Sequence, residues 1–457
     1  MRLAEAAKAI NGELKGTDVA FASVSTDTRT LAKGDLFVAL KGPNFNGHTY
    51  VKTAEELGAS ALMVSEKVDS DLPTIIVENT LHGLGALAAA WKSQFDIPTV
   101  AVTGSCGKTS VKEMVATIMS LSGETLATKG NYNNEIGVPL TLLSINEKHR
   151  YAVIELGANH IGEIAYTVSL VKPNVATITN AGSAHIEGFG SAENVARAKG
   201  EIYQGLVANG KAIINFDDKY SEYWQQTASG YEQFGFSLED QDAAYYGSDI
   251  SVNSAGQYRF TLNTPRGSIE IQLPILGKHS VLNAITAASV AGLMGAELSQ
   301  IKSGLESLEA IKGRLYPIDL GDQVVIDDSY NANPVSIKAA AGMLGDLDTV
   351  TCMVLGDMAE LGAHAPSMHR EVGEFVALQG INYLIAKGKH AADYLVGFNQ
   401  FKGDDQVCVR FDEFAEIVTY LESEKPKTIL VKGSRSAGME QVVQQLCEPK
   451  NNEQGVD

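Results

Sequence analysis

The stretch Pro98-Thr99-Val100-Ala101-Val102-Thr103-Gly104-Ser105-Cys106-Gly107-Lys108-Thr109-Ser110 constrains this chain more than any other. An apolar, β-branched run ends in a turn punctuated by glycine, and a segment with helical patterning follows. Strand, glycine turn and helix in that order build an anion site from backbone. Gly104 and Gly107 let the chain turn tightly and approach a phosphate with no Cβ in the way. The free N–H groups at the helix start point at the ligand, with the helix dipole behind them. Lys108 adds a positive charge for the β- and γ-phosphates, and Thr109 offers a hydroxyl to Mg²⁺. The general phosphate-loop pattern has a further glycine where this chain has Val102, so the match is to a shorter form, T-G-x-x-G-K-T. Thr103, Gly104, Ser105, Cys106, Gly107, Lys108, Thr109 and Ser110 are the candidate ATP-binding segment.

Strand-like runs alternate with helical ones along almost the whole chain, which predicts α/β layers around mainly parallel sheets. The length of 457 residues suits three such units. A first, 1–97, carries Ala61-Leu62-Met63-Val64 and Thr74-Ile75-Ile76-Val77 and an alanine-rich helix ending near Trp91. Asp96-Ile97-Pro98 reads as a linker. A central, phosphate-loop domain, 98–311, carries strands at Ala152–Glu155, Val175–Ile178 and Ala212–Ile214. Its residues 245–276 break the alternation and predict antiparallel hairpins turning at Asn263–Gly267. A Rossmann-like third domain, 312–457, carries strands at Val324–Ile326, Thr351–Leu355, Tyr383–Ile385 and Thr428–Val431.

A net charge of −19 argues against non-specific nucleic-acid binding, which needs a basic surface. It leaves room for an anionic substrate in a local basic pocket, because salt screens distant charge. No run is long and apolar enough to span a membrane, so no membrane insertion is expected. The start Met1-Arg2-Leu3-Ala4-Glu5 has no signal-peptide character. Cys106, Cys352, Cys408 and Cys447 are scattered, as expected of a cytoplasmic protein without a disulfide framework.

Further candidates sit where strands end, the place ligands take in open α/β sheets. Glu155 closes an apolar strand and reads either as an oxygen ligand for Mg²⁺ or as a solvated strand-end carboxylate. His185, in the small-residue loop Thr179–Glu187, reads as a metal or phosphate ligand or as a helix cap. Lys199 lies on a helix and by local pattern is an exposed lysine. Asn283, one turn into an alanine-rich helix, reads as a base-edge contact or an ordinary helix-face residue. Asp327 and Asp328 end a buried strand together, a pairing packing alone rarely produces, and Asn333-Pro334 starts a helix. In the first region Arg29, Lys41 and their loops read as an anion site or as surface turns.

Together these strings resemble the Mur ligase family, ATP-dependent amide-bond-forming enzymes of peptidoglycan synthesis. The resemblance spans essentially the whole chain. It is carried by Asn131-Tyr132-Asn133-Asn134-Glu135-Ile136-Gly137-Val138-Pro139, Asp328-Ser329-Tyr330-Asn331-Ala332-Asn333-Pro334, Val354-Leu355-Gly356-Asp357-Met358-Ala359-Glu360-Leu361-Gly362 and Lys432-Gly433-Ser434-Arg435-Ser436. The D-N-P-R string of diaminopimelate-adding relatives is not found. Folylpolyglutamate synthetases share the central strings but lack a first region with Ser25-Thr26-Asp27-Thr28-Arg29. The resemblance therefore points to the branch that joins D-alanyl-D-alanine to UDP-N-acetylmuramoyl-tripeptide; a monomer is expected, though the sequence does not fix the oligomeric state.

The resemblance implies a role for each matching position. Lys108 and its loop bind the triphosphate. Thr109, Glu155, His185 and a CO₂-carbamylated Lys199 hold Mg²⁺, and this overrides the local reading of Lys199. Asn283 and Asn331 lie near the adenine, while Arg314 and Asp328 reach ATP from the third domain. Ser25, Thr26, Asp27, Arg29 and Lys41 take the UDP end, and Asn134, Asn331 and Arg435 contact substrate. Cys106 stands where Asn or Ser is commoner in the family. The implied chemistry is acyl-phosphate formation followed by attack of the dipeptide amine. The rivals are another amide ligase of the family, a small-molecule kinase using the same loop, and a nucleotide-gated binding protein.

Overall fold

The computed structural model describes residues 1–182, 186–253 and 256–448. Its organising element is the strand Thr99–Thr103, every residue of which is buried. Val100 and Val102 face one layer with Val111, Val115 and Ile285, whereas Ala101 faces the other with Ile154 and Ile164. A strand covered on both faces needs apolar side chains at successive positions, and this sequence supplies them.

Thr99–Thr103 pairs in parallel with Tyr151–Glu155 on one side and Val175–Ile178 on the other. The sheet around it has nine strands. Beyond Tyr151–Glu155 lies the edge strand Thr125–Ala127, and beyond Val175–Ile178 come Lys211–Asn215 and Glu232–Ser237, all parallel. The far edge is the antiparallel set Tyr245–Val252, Gln257–Thr264 and Gly267–Leu276, with the tight turn at Thr264–Gly267. The chain leaves Thr99–Thr103 to one side and later returns to the other. Its connections therefore diverge over the carboxyl end of that strand and open a crevice there.

Before the central sheet comes a five-stranded one in the order Glu13–Lys15, Thr74–Ile76, Ala61–Val64, Leu36–Val38, Val24–Ser25. All its pairings are parallel except that of Glu13–Lys15. The helix Thr80–Lys92 leads out of it, and Trp91 donates its indole N–H to Ile145 O (2.9 Å), fixing this unit to the central one. After the central sheet comes a six-stranded one in the order Tyr316–Asp319, Val324–Asp328, Thr428–Lys432, Thr351–Leu355, Tyr383–Ala386, Val407–Arg410. It is parallel apart from Tyr316–Asp319. Insertion of Thr428–Lys432 beside Val324–Asp328 brings Lys432 level with Asp328 at the carboxyl ends of both strands.

Candidate active site

The phosphate loop is shaped by what its glycines leave room for. A Cβ on Gly104 would lie 1.8 Å from Thr179 Oγ1, and one on Gly107 (φ 81°) would lie 2.5 Å from Asn283 Oδ1. Close approach of protein groups, as much as of phosphate, thus demands glycine here. The loop is stapled to the end of the neighbouring strand. Cys106 N–H donates to Asn180 Oδ1 (2.9 Å), Asn180 Nδ2 donates back to Cys106 O (3.1 Å), and Ser105 N–H donates to Asn180 O (3.0 Å).

Those bonds revise the sequence expectation. The N–H groups of Ser105 and Cys106 are committed to protein, so the donors left for an anion belong to the first turn of the helix Lys108–Ser120. Thr103 is revised as well. It is fully buried and its hydroxyl donates to Leu156 O (2.7 Å), so it braces the sheet behind the loop.

A cavity of about 890 Å³ opens over this turn, lined by Ser105 to Ser110 of the loop and by residues of the central and third sheets. Lys108 Nζ folds back onto Gly104 O (2.7 Å). Burial holds its ammonium below the ordinary lysine range, opposed by the Glu155 carboxylate nearby and reinforced by Arg314. Glu155 is 2 % exposed. Its Oε1 accepts from Asn133 Nδ2 (2.7 Å), while its Oε2 is buried with no hydrogen-bond partner among the described residues. An orphaned carboxylate oxygen on a cavity wall is costly unless a cation or donor meets it.

Lys199, near the end of the helix Ala192–Gly200, also lines the cavity and is only 2 % exposed. The exposed-lysine reading of its local pattern fails because this face of the helix packs toward the sheet. Burial, with Lys108 close by, lowers its pKa to about 7. His185 lies outside the described residues.

The third domain completes the wall. Arg314 NH2 donates to Thr109 Oγ1 (3.2 Å), with its guanidinium 4.4 Å from the Tyr330 ring centre. Asp328 accepts from Leu315 N–H (3.2 Å) and forms a buried ion pair with Lys432 (2.6 Å). Lys432 also donates to Asn331 O (2.9 Å). Asn333 caps the helix Pro334–Gly345 and meets the Cys106 thiol, with Nδ2 3.3 Å from Sγ. Asn283 and Asn331 line the cavity, Asn283 lodged beside Gly107.

Other expected contacts lie elsewhere. Asn134 reaches the cavity wall, but its Oδ1 caps the helix Gly137–Leu143 through Ile136 and Gly137 N–H. Arg435 faces Glu440 (3.3 Å). Ser25, Thr26, Asp27, Arg29 and Lys41 are not on the cavity wall. Arg29 clamps Asp27, whose pKa its hydrogen bonds lower to about 2, and Lys41 pairs with Glu66 (2.5 Å). Asn133, Asn180 and Lys432 line the cavity and were not singled out by sequence reasoning. Asn133 and Lys432 lie within the family strings, and only their partners in space give them a role.

Family models match in three segments: Mur ligase family, catalytic domain over residues 20–92, Mur ligase middle domain over 102–291, and Mur ligase, glutamate ligase domain over 313–435. The chain belongs to the Mur ligase family. It is 46% identical over 442 residues to the UDP-N-acetylmuramoyl-tripeptide–D-alanyl-D-alanine ligase of Escherichia coli K12, covering 96% of each chain. Among solved structures, a MurF from Acinetobacter baumannii superposes with a TM-score of 0.90 at 34% identity, over 97% of this chain and 98% of that one. The MurF ligase from Thermotoga maritima, solved in complex with ADP, matches with a TM-score of 0.84 at 26% identity over 94% and 98%. As a Mur ligase the chain is an ATP-dependent ligase with the three-unit fold of that family.

Proposed function

We propose that this chain joins D-alanyl-D-alanine to UDP-N-acetylmuramoyl-tripeptide, using ATP and giving the pentapeptide precursor, ADP and phosphate. The observation that carries the reading is the 46% identity to the E. coli ligase, spread over 96% of both chains. Three units divide the work: 1–97 takes the UDP end, 98–311 the triphosphate, and 312–457 the remaining face of ATP.

A carboxylate is a poor acyl donor to an amine. In the first step a carboxylate oxygen of the tripeptide attacks the γ-phosphorus, the bond to the β-bridging oxygen breaks, and ADP leaves. In the second the free amine of the dipeptide attacks the acyl carbon, and phosphate departs with the former acyl-bridging oxygen while the nitrogen loses a proton. The first-turn N–H groups and Lys108 bind the phosphates and neutralise charge building on them, and Arg314 adds charge from the third domain. Contact of Arg314 with Thr109 and of Asn333 with Cys106 closes the cavity between two domains, which keeps water from the acyl phosphate.

Mg²⁺ fits the residues present. The orphaned Glu155 Oε2 and the Thr109 hydroxyl are hard oxygen donors on one wall, and a cation there would neutralise the phosphate oxygens. Lys199 is proposed to take up CO₂, its neutral amine becoming a carbamate with release of a proton. Burial and the pKa of about 7 favour the neutral amine that this step requires. The enzyme is proposed to act in the cytoplasm, consistent with four unpaired cysteines.

The test is phosphate release from ATP and UDP-N-acetylmuramoyl-tripeptide with and without D-alanyl-D-alanine. A ligase releases phosphate only with the dipeptide, a kinase releases none, and a switch protein turns over little. Product with diaminopimelate on a dipeptide-stage precursor, and none with D-alanyl-D-alanine, refutes the assignment.

A further inference from the structure

His369 is a buried group that the reaction steps do not use. It sits on the helix Ala365–Leu378 of the third domain, it is wholly buried, and both of its ring nitrogens are engaged. Nδ1 lies 2.6 Å from Ala365 O, and Nε2 lies 3.0 Å from the Met358 nitrogen. A carbonyl only accepts and a backbone N–H only donates. The ring is therefore neutral, with its proton on Nδ1 and the lone pair of Nε2 turned to Met358. Burial keeps the ring below the ordinary histidine range, which favours that neutral form. Its orientation is fixed as well. His390 stacks on it with centroids 4.6 Å apart, and Tyr394 meets it edge-on at 4.7 Å.

The bond to Met358 bears on the loop that follows the strand Thr351–Leu355 and crosses to the central domain. Met358 and Leu361 are buried in the core of the third domain, while Ala359 and Glu360 between them are exposed. The backbone at Glu360 is left-handed, with φ 62°, a conformation rare outside glycine, so the loop needs support from outside itself. The two rings packed on His369 supply part of it. The Tyr394 hydroxyl donates to Gly356 O (3.1 Å), and His390 N–H donates to Asp357 Oδ1 (2.9 Å). His369 supplies the acceptor for Met358 N–H. At the tip, the Glu360 carbonyl accepts from Glu187 N–H (3.3 Å), on the helix Ile186–Phe189 of the central domain. Glu360 also lines the cavity. One buried imidazole thus sits under a loop that joins the two domains at the wall of the reacting cavity.

We infer that His369 is a positioning residue: its Nε2, by accepting from Met358 N–H, sets the loop that docks the third domain on the central one. The inference rests on the ligase reading above, in which that docking closes the cavity around the reactants. Two variants of the full-length enzyme separate the two ring nitrogens. In His369→Gln the amide oxygen stands as far from Cβ as Nε2 does, so it can accept from Met358 N–H. In His369→Asn the amide reaches only as far as Nδ1, and Met358 N–H is left buried without its acceptor. The bond to Ala365 O is the lesser one, because that carbonyl also takes the backbone N–H of residue 369 within the helix. With D-alanyl-D-alanine as acceptor, kcat of His369→Asn should fall at least about tenfold, while KM for the UDP-substrate stays within about twofold because the first unit is untouched. His369→Gln should regain most of the loss. Urea unfolding checks that each variant is folded under assay conditions. Small-angle X-ray scattering with ADP reads the docking directly: His369→Asn should be more extended than wild type, and His369→Gln should match wild type. In ¹⁵N-histidine spectra of the wild type, the slowly exchanging ring signal of the buried histidine should carry its proton on Nδ1. The inference is overturned by a wild-type kcat in His369→Asn, by a His369→Gln no better than His369→Asn, by equal compactness of all three chains, or by a proton on Nε2. Should neither variant fold, the wild-type ring decides: a proton on Nδ1 upholds the inference and one on Nε2 overturns it. A wild-type enzyme that does not use D-alanyl-D-alanine refutes the ligase reading instead, and the scattering then still decides the docking.

Discussion

Asp328 offers a test of the cavity with a magnitude attached. It faces Lys432 at 2.6 Å, and the two side chains are 13 % and 3 % exposed. Breaking a buried pair from one side leaves a charge without compensation, which costs about 3–5 kcal/mol. Two variants should divide that range. Asp328→Asn removes the charge but keeps an oxygen for Lys432 and for Leu315 N–H, so its cost should sit near about 3 kcal/mol. Asp328→Ala also removes both acceptors and should approach about 5 kcal/mol. Lys432 retains its bond to Asn331 O (2.9 Å) in either case. The assay is urea unfolding followed by a probe in the third domain, read as a midpoint at constant slope. The double variant Asp328→Asn/Lys432→Met should regain much of the loss, since no charge is left stranded. A loss below about 1 kcal/mol in Asp328→Ala would place the pair in the surface class and refute the reasoning. Turnover should drop in all three variants, because Arg314, Tyr330 and Asn331 share this corner with the pair.

Lys108→Ala should lower turnover at least about 10³-fold with the fold intact, measured as phosphate release; near-normal turnover sinks the loop's role. Gly107→Ala should cost both nucleotide affinity and stability, since its Cβ meets Asn283 Oδ1 at 2.5 Å in a backbone of φ 81°, and calorimetry with ADP would expose a normal affinity as contrary evidence. Lys199→Ala should be nearly inactive and partly rescued by a small carboxylic acid, whereas Lys199→Arg should not be rescued. Uptake of ¹³CO₂, seen by NMR as a signal missing from Lys199→Ala, should rise with pH through about 7, where the amine loses its proton. The same lowered pKa means that the unfolded chain binds the extra proton between pH 7 and the ordinary lysine range. Stability from this group therefore rises with pH across that window, and a fall there in wild type relative to Lys199→Ala would contradict the burial of the amine.

Much of the fold was legible because its information is local. Val100 and Val102, Val153 and Ile154, and Leu430 and Val431 announce strands by unbroken apolar runs. The antiparallel set at 245–276 is marked by the loss of helical segments between strands. Short strands escaped the sequence reading for the converse reason. Glu13–Lys15 and Val407–Arg410 are edge strands with exposed residues, and Thr125–Ala127 has three residues, too few for a pattern. Strand order was illegible throughout. Nothing in Thr428–Lys432 says that it inserts beside Val324–Asp328, yet that choice alone brings Lys432 to Asp328.

The site divides the same way. The phosphate loop could be read because one contiguous segment does the binding. Lys199 could not be read from its neighbours, since Ala196-Arg197-Ala198-Lys199 has the composition of a solvated face, and its burial comes from helices and strands distant in sequence. Resemblance supplied what periodicity lacked, yet it could not say which loop donors were already spent. The bonds of Ser105 and Cys106 to Asn180 join positions 74 and 75 residues apart, so only the folded sheet reveals them. What the sequence leaves open is therefore not which chemistry occurs but which atoms remain available for it. Those atoms, Glu155 Oε2 and the first-turn N–H groups, are the ones that contacts among the described residues leave unused.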